Sequence, residues 1–319
     1  MSVAIELANI AEAVSFPKKQ QTHVLNAASG ENWAIFHGDT AEIIKGIPDN
    51  TVDYSIFSPP FASLYTYSNS ERDMGNCRNH AEFWDHFSYL APELHRIVGP
   101  GRLVSAHCMN LPSSKERDGV IGLVDFRGEL IRRMESAGFI YHSEVCIWKD
   151  PVTAMQRTKA IGLLYKQLRK DSAMSRQGIA DYLCTFRKRD ANTKPITKTH
   201  ESFPVDRWQN YASPVWMDID PGDTLTRFEA RENDDERHIC ALQIPVIKRG
   251  IELWTNPGDV VFSPFGGIGS EGVAALEMGR KAMLIELKDS YFQQAAKNLA
   301  TAEATGGRQQ GLFGLEQPA

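Results

Sequence analysis

The sequence has few cysteines, and it has no long hydrophobic run. Its five cysteines are far apart and form no Cys-x-x-Cys pair, which excludes a disulfide framework and gives no sign of a zinc site. No apolar segment approaches the roughly 18 residues needed to span a bilayer, and no basic flank of a signal peptide precedes the first apolar stretch. We therefore expect a cytoplasmic protein that binds no metal and no membrane.

Charge is unevenly distributed along the 319 residues, whose overall formal charge is −5. Residues 156–199 contain eleven lysines and arginines against three acids, a local net charge of +8. Such a run is either a solvated basic face or a surface that follows the phosphates of a nucleic acid. Both interpretations are open from charge alone.

Strands and helices alternate on both sides of this basic segment, which predicts an α/β fold with a mainly parallel sheet and helices on both faces. Glycine, proline and asparagine clusters mark the turns between the elements. The predicted strands are 33–37, 52–57, 103–108, 140–148, 260–262 and 281–287, and the predicted helices are 40–45, 82–98, 126–137, 244–254, 270–278 and 290–300.

A glycine-rich loop follows the predicted strand 260–262. Residues 267–272, Gly-Ile-Gly-Ser-Glu-Gly, fit the GxGxxG pattern, and Glu286 ends the next strand. Glycines let a ligand approach a helix N-terminus, and a carboxylate at the next strand end can bind two ribose hydroxyls. A nicotinamide dinucleotide, S-adenosylmethionine or a plain turn would fit. Dinucleotide folds usually begin with this unit, whereas only 33 residues follow Glu286, so the order favours S-adenosylmethionine.

Two motifs together resemble those of the DNA amino-methyltransferases. Ser58-Pro59-Pro60-Phe61 resembles their (D/N/S)PP(Y/F) catalytic motif, and residues 263–269, Ser-Pro-Phe-Gly-Gly-Ile-Gly, are similar to their DPFxGxG cofactor loop. The catalytic motif comes first, as in the permuted β group of the family. The resemblance implies a circularly permuted, Rossmann-like S-adenosylmethionine-dependent methyltransferase sheet with an inserted target-recognition region, and a bacterial or phage enzyme of DNA methylation or restriction-modification.

The chemistry of this reaction explains the residue types of the catalytic motif. An exocyclic amino nitrogen is a poor nucleophile until acceptors hold its N–H groups, and Ser58 Oγ and the Pro59 carbonyl are suited to that. Pro59 and Pro60 fix the backbone so that the carbonyl faces a ligand. Phe61 offers a face on which a flipped base can stack.

The resemblance also assigns cofactor residues. Asp39 matches the family's acid near the cofactor adenine, although it suits a helix N-cap equally well. His238 begins a segment that lies along the methionine part, and Ser263 stands where the family usually has an aspartate. The implied cofactor-binding residues are Asp39, His238, Ser263, Phe265, Gly267, Gly269 and Glu286.

The expected function is therefore transfer of a methyl group from S-adenosyl-L-methionine to adenine N6 or cytosine N4 of double-stranded DNA. The target base stays open, because serine at position 58 favours cytosine only loosely. The alternatives are an RNA or protein methyltransferase with a similar site, and a catalytically decayed DNA-binding regulator, which Ser263 favours. We expect Lys188 and Arg189 to contact DNA phosphates, and a monomer or homodimer.

The same reasoning divides the chain into segments. The C-terminal Gln309-Gln310-Gly311-Leu312-Phe313 resembles the QxxLF peptide with which bacterial replication proteins bind a sliding clamp, although a short pattern of this kind also arises by chance. The expected segments are an N-terminal extension (1–33), a catalytic half (34–155), a basic target-recognition region (156–235), a cofactor half (236–304) and a flexible tail (305–319).

Overall fold

The computed structural model describes residues 24–60, 74, 77, 79–113, 115–152, 164–225 and 242–313. Within these ranges nine strands form one sheet in the order β1-β2-β11-β10-β3-β4-β8-β7-β9, and β5 and β6 form a separate pair. The strands are β1 (Asn26–Ser29), β2 (Trp33–His37), β3 (Val52–Phe57), β4 (Val98–Met109), β5 (Leu111–Ser113), β6 (Gly122–Val124), β7 (Ile140–Ile147), β8 (Asp181–Arg187), β9 (Val215–Trp216), β10 (Val260–Ser263) and β11 (Lys281–Glu286).

Helices pack on both faces of the large sheet. They are α1 (Thr40–Ile43), α2 (His80–Ile97), α3 (Lys115–Asp118), α4 (Phe126–Ser136), α5 (Tyr165–Leu168), α6 (Val205–Tyr211), α7 (Ile244–Trp254), α8 (Ser270–Glu277) and α9 (Asp289–Phe313), with short 3₁₀ turns at Ile44–Gly46 and Ser172–Met174. None of the helices in the described ranges is long and apolar enough to cross a bilayer.

Strand alternation divides the core into two clusters, because successive side chains of a strand point to opposite faces. One face holds residues such as Phe36, Phe57 and Phe262, which pack with the aromatic residues of α2 and the start of α4. The other holds Ile35 and Ile56, which pack with the apolar faces of α7, α8 and α9. Both faces of the central strands are covered, because β2 and β3 are buried at every position, including the polar Asp53 and Ser55.

The five central strands β2, β11, β10, β3 and β4 are parallel, so their carboxyl ends lie at one edge of the sheet. We call it the carboxyl edge and the opposite one the amino edge. β8 is antiparallel to β4 and β7, so it begins at the carboxyl edge, where β7 ends. The two C-terminal strands β10 and β11 lie between β2 and β3, which joins the cofactor half to the catalytic half.

The structure departs from the predicted segments at three places. β8 lies inside the range 156–235 but pairs between β4 and β7, so this range is partly core and not a separate recognition region. β1, within the expected N-terminal extension, adds an antiparallel edge strand to β2. Helix α9 continues to Phe313 where a flexible tail was expected, because its Ala-rich sequence carries the helix through Gly306 and Gly307.

Candidate active site

The carboxyl edge brings together the residues that end the central strands. Ser58 follows β3, Ser263 ends β10 and Glu286 ends β11. Gly38 follows β2 and donates its N–H to the Glu286 carbonyl at 2.9 Å. In open α/β sheets this edge is where ligands bind, and here it unites motifs that are about 200 residues apart in the sequence.

Ser58 is half-buried, Pro59 is buried and Pro60 is half-buried, so the motif lines the edge without being covered. A proline has no N–H and cannot extend the ladder, which is why β3 stops at Phe57. Ser58 Oγ lies 3.1 Å from His107 Nδ1. Phe61 lies outside the described residues, so its stacking role stays a prediction.

Sequence reasoning missed the partner of Ser58, a buried histidine and carboxylate on the two neighbouring strands. His107 Nε2 lies 2.9 Å from Asp181 Oδ2, and Lys149 Nζ contacts the same oxygen. Burial disfavours the charge of Asp181, but His107 and Lys149 outweigh it and hold the pKa of this carboxyl below its usual value. A histidine inside the apolar segment 103–108 was the one available signal, since Asp181 is 74 residues away.

The glycine loop between β10 and α8 contacts the acid that ends β11. Gly267 has φ +52° and donates its N–H to Glu286 Oε2 at 2.7 Å, while Lys288 N–H donates to Oε1 at 2.8 Å. A Cβ on Gly267 would meet no atom within 4 Å, so open space lies in front of the loop. Gly269, with φ +90°, begins α8, and a side chain in this left-handed region would be strained.

The catalytic and cofactor motifs meet where β3 and β10 lie side by side. The rings of Phe57 and Phe265 are 5.7 Å apart, and Ser55 Oγ donates to the Phe262 carbonyl at 3.0 Å. Phe265 is itself only half-buried. The two motifs predicted from the sequence therefore line adjacent parts of one edge.

The residues of the edge fit an adenosine-type ligand such as S-adenosylmethionine. The buried hydroxyls of Ser263, at the end of β10, and of Thr40 and Ser290, in the first turns of α1 and α9, have no hydrogen-bond partner among the described residues. Buried polar atoms are normally paired, so three unpaired hydroxyls at one edge indicate polar groups that a ligand supplies. The Glu286 carboxylate accepts the N–H groups of Gly267 and Lys288, and a carboxylate at the end of this strand is the type of acceptor that ribose hydroxyls need.

Asp39, another cofactor candidate, is the N-cap of α1, since its Oδ1 accepts the Ala41 N–H at 3.0 Å. It also lies just after the end of β2 at the carboxyl edge, and its contact with the cofactor stays a prediction. His238 lies outside the described residues. Among the residues that are described, no group of three histidines, cysteines or acids could hold a metal ion.

Lys188 and Arg189 are not brought together with the other candidates. They follow β8, which ends at the amino edge. Lys188 Nζ donates to the Val98 carbonyl at 2.7 Å and to Asn50 Oδ1 at 2.8 Å, and Arg189 is exposed. Burial lowers the pKa of Lys188. The contact with DNA phosphates expected from the charge of this segment is untested, and the position of both residues at the amino edge argues against it.

Comparisons with known proteins agree with this geometry. The profile of the DNA methylase family matches residues 52–297. The DNA adenine methyltransferase YhdJ of Escherichia coli (strain K12) is 24% identical over 270 residues, which cover 84% of this chain and 83% of that protein. The type II methyltransferase M.BglII of Bacillus subtilis is 23% identical over 268 residues, 83% of this chain and 68% of that protein.

Two solved structures share the fold. The PvuII DNA methyltransferase (cytosine-N4-specific) has a TM-score of 0.60 and 16% identity, covering 87% of this chain and 92% of its own. TTHA0409 of Thermus thermophilus, solved in complex with S-adenosyl-L-methionine, has a TM-score of 0.60 and 20% identity, covering 84% of this chain and 94% of its own. The expected methyltransferase fold is thereby confirmed.

Proposed function

The chain belongs to the DNA methylase family, and from this premise we propose that its carboxyl edge methylates a flipped base of duplex DNA with Ser58 as the residue that holds the reacting nitrogen. The enzyme is an S-adenosylmethionine-dependent DNA amino-methyltransferase, acting on adenine N6 or cytosine N4. The observation that carries the residue assignment is the contact of the two motifs through Phe57 and Phe265, 5.7 Å apart. A base held at Ser58 would then lie beside a ligand held at the glycine loop.

Each residue at the edge has a task that follows from its position. Ser58 Oγ and the Pro59 carbonyl accept the N–H groups of the amino nitrogen and turn its lone pair towards the methyl group. When bound, S-adenosylmethionine supplies a methyl carbon that is already strongly electrophilic. Catalysis is therefore mainly alignment of the reacting atoms. Glu286 would accept the ribose hydroxyls, and the Ser263 hydroxyl, which is buried and unpaired, would face the methionine part.

We propose that DNA lies along the chain between β7 and β8, both of which meet the carboxyl edge. Lys166, Arg169 and Lys170 are exposed there, and the ring of Tyr165 is 76% exposed. Arg176 is half-buried, its Nε and one Nη have no hydrogen-bond partner in the described part of the chain, and burial lowers its pKa. A guanidinium of this kind is suited to a phosphate. This part of the basic segment lies on the same edge as Ser58.

The proposed function is tested with Ser58→Ala. We expect turnover on duplex DNA to fall by a factor of ten or more, while the dissociation constant for S-adenosylmethionine changes less than about three-fold, because Ser58 contacts the base and not the cofactor. The matched control is Ser136→Ala on the exposed end of α4. Full activity of Ser58→Ala, or loss of cofactor binding in it, would show that the catalytic residue is assigned to the wrong place.

The substrate is tested with a labelled methyl donor and separate duplex DNA, RNA and protein acceptors. We expect label in duplex DNA. Label only in RNA or protein would instead support the alternative modification enzymes, and a chain that binds DNA but no cofactor in calorimetry would be a decayed regulator. Long-read sequencing of DNA from an expressing host then identifies the methylated base and its sequence context in one measurement.

We propose further that Gln309–Phe313 binds a sliding clamp, which would couple methylation to newly replicated DNA. The segment forms the last turns of α9. Helix ends unwind at low cost, so the peptide can become extended for binding. A peptide of residues 305–319 should bind a purified bacterial clamp below ~100 μM, roughly −5 kcal/mol. No binding at that concentration would reject the proposal.

A further inference from the structure

Four polar side chains form a continuous line from the catalytic serine into the sheet. Ser58 Oγ contacts His107 Nδ1 at 3.1 Å, His107 Nε2 contacts Asp181 Oδ2 at 2.9 Å, and Lys149 Nζ contacts the same carboxylate oxygen. His107 is 4% exposed and Asp181 is 1% exposed. β8 pairs with β4 and β7 through the backbone, so the sheet does not depend on these side chains. A buried ionised carboxylate has a large desolvation cost and is weak as a source of stability, so the line calls for another explanation.

The positions of the protons follow from the carboxylate. Asp181 is ionised, because His107 and Lys149 hold its pKa low against the effect of burial, and an ionised carboxylate can only accept. His107 Nε2 therefore donates to Asp181. In the neutral imidazole Nδ1 is then the acceptor, so the Ser58 hydroxyl donates to it. The Ser58 oxygen keeps its lone pairs for the amino group of the base.

We propose that His107 is the proton acceptor of the methyl transfer, receiving through Ser58 Oγ the proton that the amino nitrogen must lose, with Asp181 as its positioning residue. The proposal rests on the proposed function. As the bond between nitrogen and the methyl carbon forms and the bond between that carbon and sulfur breaks, the positive charge moves to the nitrogen. The nitrogen passes one proton to Ser58 Oγ, and the hydroxyl proton of Ser58 moves to His107 Nδ1.

The step conserves atoms and charge. Ser58 ends as a neutral hydroxyl, the methylated amine is neutral, and the imidazolium carries the positive charge until the proton passes to water. Asp181 favours that imidazolium, as an opposite charge in contact does. The same three roles, a hydroxyl, an imidazole and a carboxylate in contact, occur in serine hydrolases. Here the hydroxyl conducts a proton and forms no covalent bond with the substrate.

The polar groups around His107 come from three elements. Ser58, at the end of β3, and Asp181, on β8, contact the imidazole directly. Lys149, in the chain that follows β7, contacts the Asp181 carboxylate. The Cys146 thiol on β7 is close enough to Asp181 for the carboxylate to add to the rise in its pKa that burial causes. Asp181 stabilises the protonated imidazole, and Lys149 opposes it by partly neutralising Asp181. Removing one or the other should therefore move the titration of His107 in opposite directions.

The first experiment follows the imidazole itself by ¹⁵N NMR of the full chain without substrate, with the signal assigned by its loss in His107→Asn. We expect the Nε2–H tautomer in the wild type. The midpoint of protonation should fall in Asp181→Asn and rise in Lys149→Met. The control is Asp53→Asn, which removes a buried carboxylate of an ion pair at the amino edge and should leave the midpoint unchanged. Shifts in the same direction, or none, would overturn the proposal.

The second experiment separates proton acceptance from orientation of Ser58. The amide oxygen introduced by His107→Asn can accept the Ser58 hydroxyl but cannot hold a proton, whereas the ring introduced by His107→Phe can do neither. We expect His107→Asn to lower kcat by at least ten-fold and His107→Phe to lower it further, with the KM for DNA and the cofactor dissociation constant within about three-fold of the wild type. In Lys149→Met, the acid limb of the profile of kcat against pH should shift with the protonation midpoint measured by NMR. Lys149 is half-exposed, so this variant tests the proposal even if Asp181→Asn does not fold.

The outcomes distinguish this proposal from the one on which it rests. If Ser58→Ala is inactive and His107→Asn is fully active, Ser58 is correctly assigned and the proton relay is wrong. If Ser58→Ala is itself active, the assignment of the site is wrong. If His107→Asn retains kcat and His107→Phe loses it, His107 only orients the serine hydroxyl.

Discussion

The two edges of the central sheet both contain buried charged residues, but they use them differently. At the amino edge, Arg102 donates to Asp53 at 2.9 Å and to Asp259 at 2.8 Å. Each carboxylate also accepts a backbone N–H, from Val260 and Asn256 respectively, at 2.9 Å. At the carboxyl edge the hydrogen-bonded pair of His107 and Asp181 ends at a half-buried hydroxyl, that of Ser58. The amino-edge cluster joins β3, β4 and the start of β10 and reaches solvent through Lys194, whose Nζ lies 3.4 Å from Asp53 Oδ1. The carboxyl-edge pair instead leads to the hydroxyl of the residue that the sequence predicts to be catalytic.

The carboxyl edge also leaves polar groups unpaired. Ser263 is 1% exposed, and its hydroxyl has no hydrogen-bond partner within the described ranges. Glu271, in the first turn of α8, is buried and forms no salt bridge with any described residue, and burial raises its pKa to about 8, with the charge of Glu286 adding to the rise. Such groups cost stability. The cost is consistent with an edge that is completed only when ligands are bound.

The largest effect is expected from breaking the buried ion pairs with Arg102→Met. The variant leaves Asp259 without its cation and Asp53 with only the exposed Lys194, 3.4 Å away, and breaking a buried pair typically costs about 3–5 kcal/mol. The free energy of unfolding, measured with urea, should fall by that amount, while the folded fraction keeps its cofactor affinity. The control Arg132→Met removes an exposed pair with Glu129 and should change the free energy by less than about 0.5 kcal/mol. An equal fall in the free energy of unfolding in both variants would contradict the contrast between buried and exposed ion pairs.

Glu271→Gln should stabilise the protein in a pH-dependent way. The folded carboxyl keeps its proton up to about pH 8, whereas the unfolded one releases it near its ordinary pKa of 4.5, so wild-type stability falls as pH rises between these values. Glutamine does not ionise. The gain should be near zero below pH 4.5 and reach roughly 2–4 kcal/mol above pH 8. Urea unfolding at pH 4.5, 6.5 and 8.5 measures it, and a gain that is constant across the three values would reject the raised pKa.

Glu286→Ala should weaken S-adenosylmethionine binding by about 1–3 kcal/mol, because two charge-assisted hydrogen bonds to the ribose are lost. Isothermal calorimetry measures the dissociation constant. Glu277→Ala, which removes a surface pair with Lys248 at the other end of α8, is the matched control and should bind as the wild type does. An unchanged constant in Glu286→Ala would mean that Glu286 only fixes the loop through Gly267 N–H.

The elements of this fold that were predictable are those whose signal is local. Strands β2 and β3 and helix α7 have the predicted bounds, because apolar runs between turn residues determine them. Strand β4 begins at Val98, earlier than predicted, but its pairing with β3 passes from Val98 directly to Leu103. The predicted Gly-Pro-Gly turn, with Gly101 at φ +68°, is therefore present as an irregularity within the strand. The two motifs were predictable for the same reason, since each is contiguous.

The proton relay depends on pairing between distant strands and could not be predicted. β8 carries Leu183, Cys184 and Phe186 on an apolar pattern, but its position in a basic segment suggested a surface. Its antiparallel register with β4 places Asp181 opposite Met109 and next to His107. Register is a property of two strands together, and a single sequence does not contain it.

The smallest effects are expected from Lys188→Ala and Arg189→Ala, which test whether the amino edge also contacts DNA. Lys188→Ala should lower the free energy of unfolding by about 1–2 kcal/mol, because the hydrogen bonds to the Val98 carbonyl and Asn50 are lost. Arg189→Ala should lower it by less than about 0.5 kcal/mol, because Arg189 is exposed. In the register of the sheet Val98 lies opposite Val52 and Ala106 opposite Phe57, so His107 is about six strand residues, roughly 20 Å, from Val98. A duplex that places a base at Ser58 lies over the opposite, carboxyl edge. Duplex affinity and its salt slope should therefore not change in either variant, whereas Lys166→Ala and Lys170→Ala should each reduce the slope by about one. A reduced slope in Arg189→Ala would mean that the DNA reaches the amino edge as well.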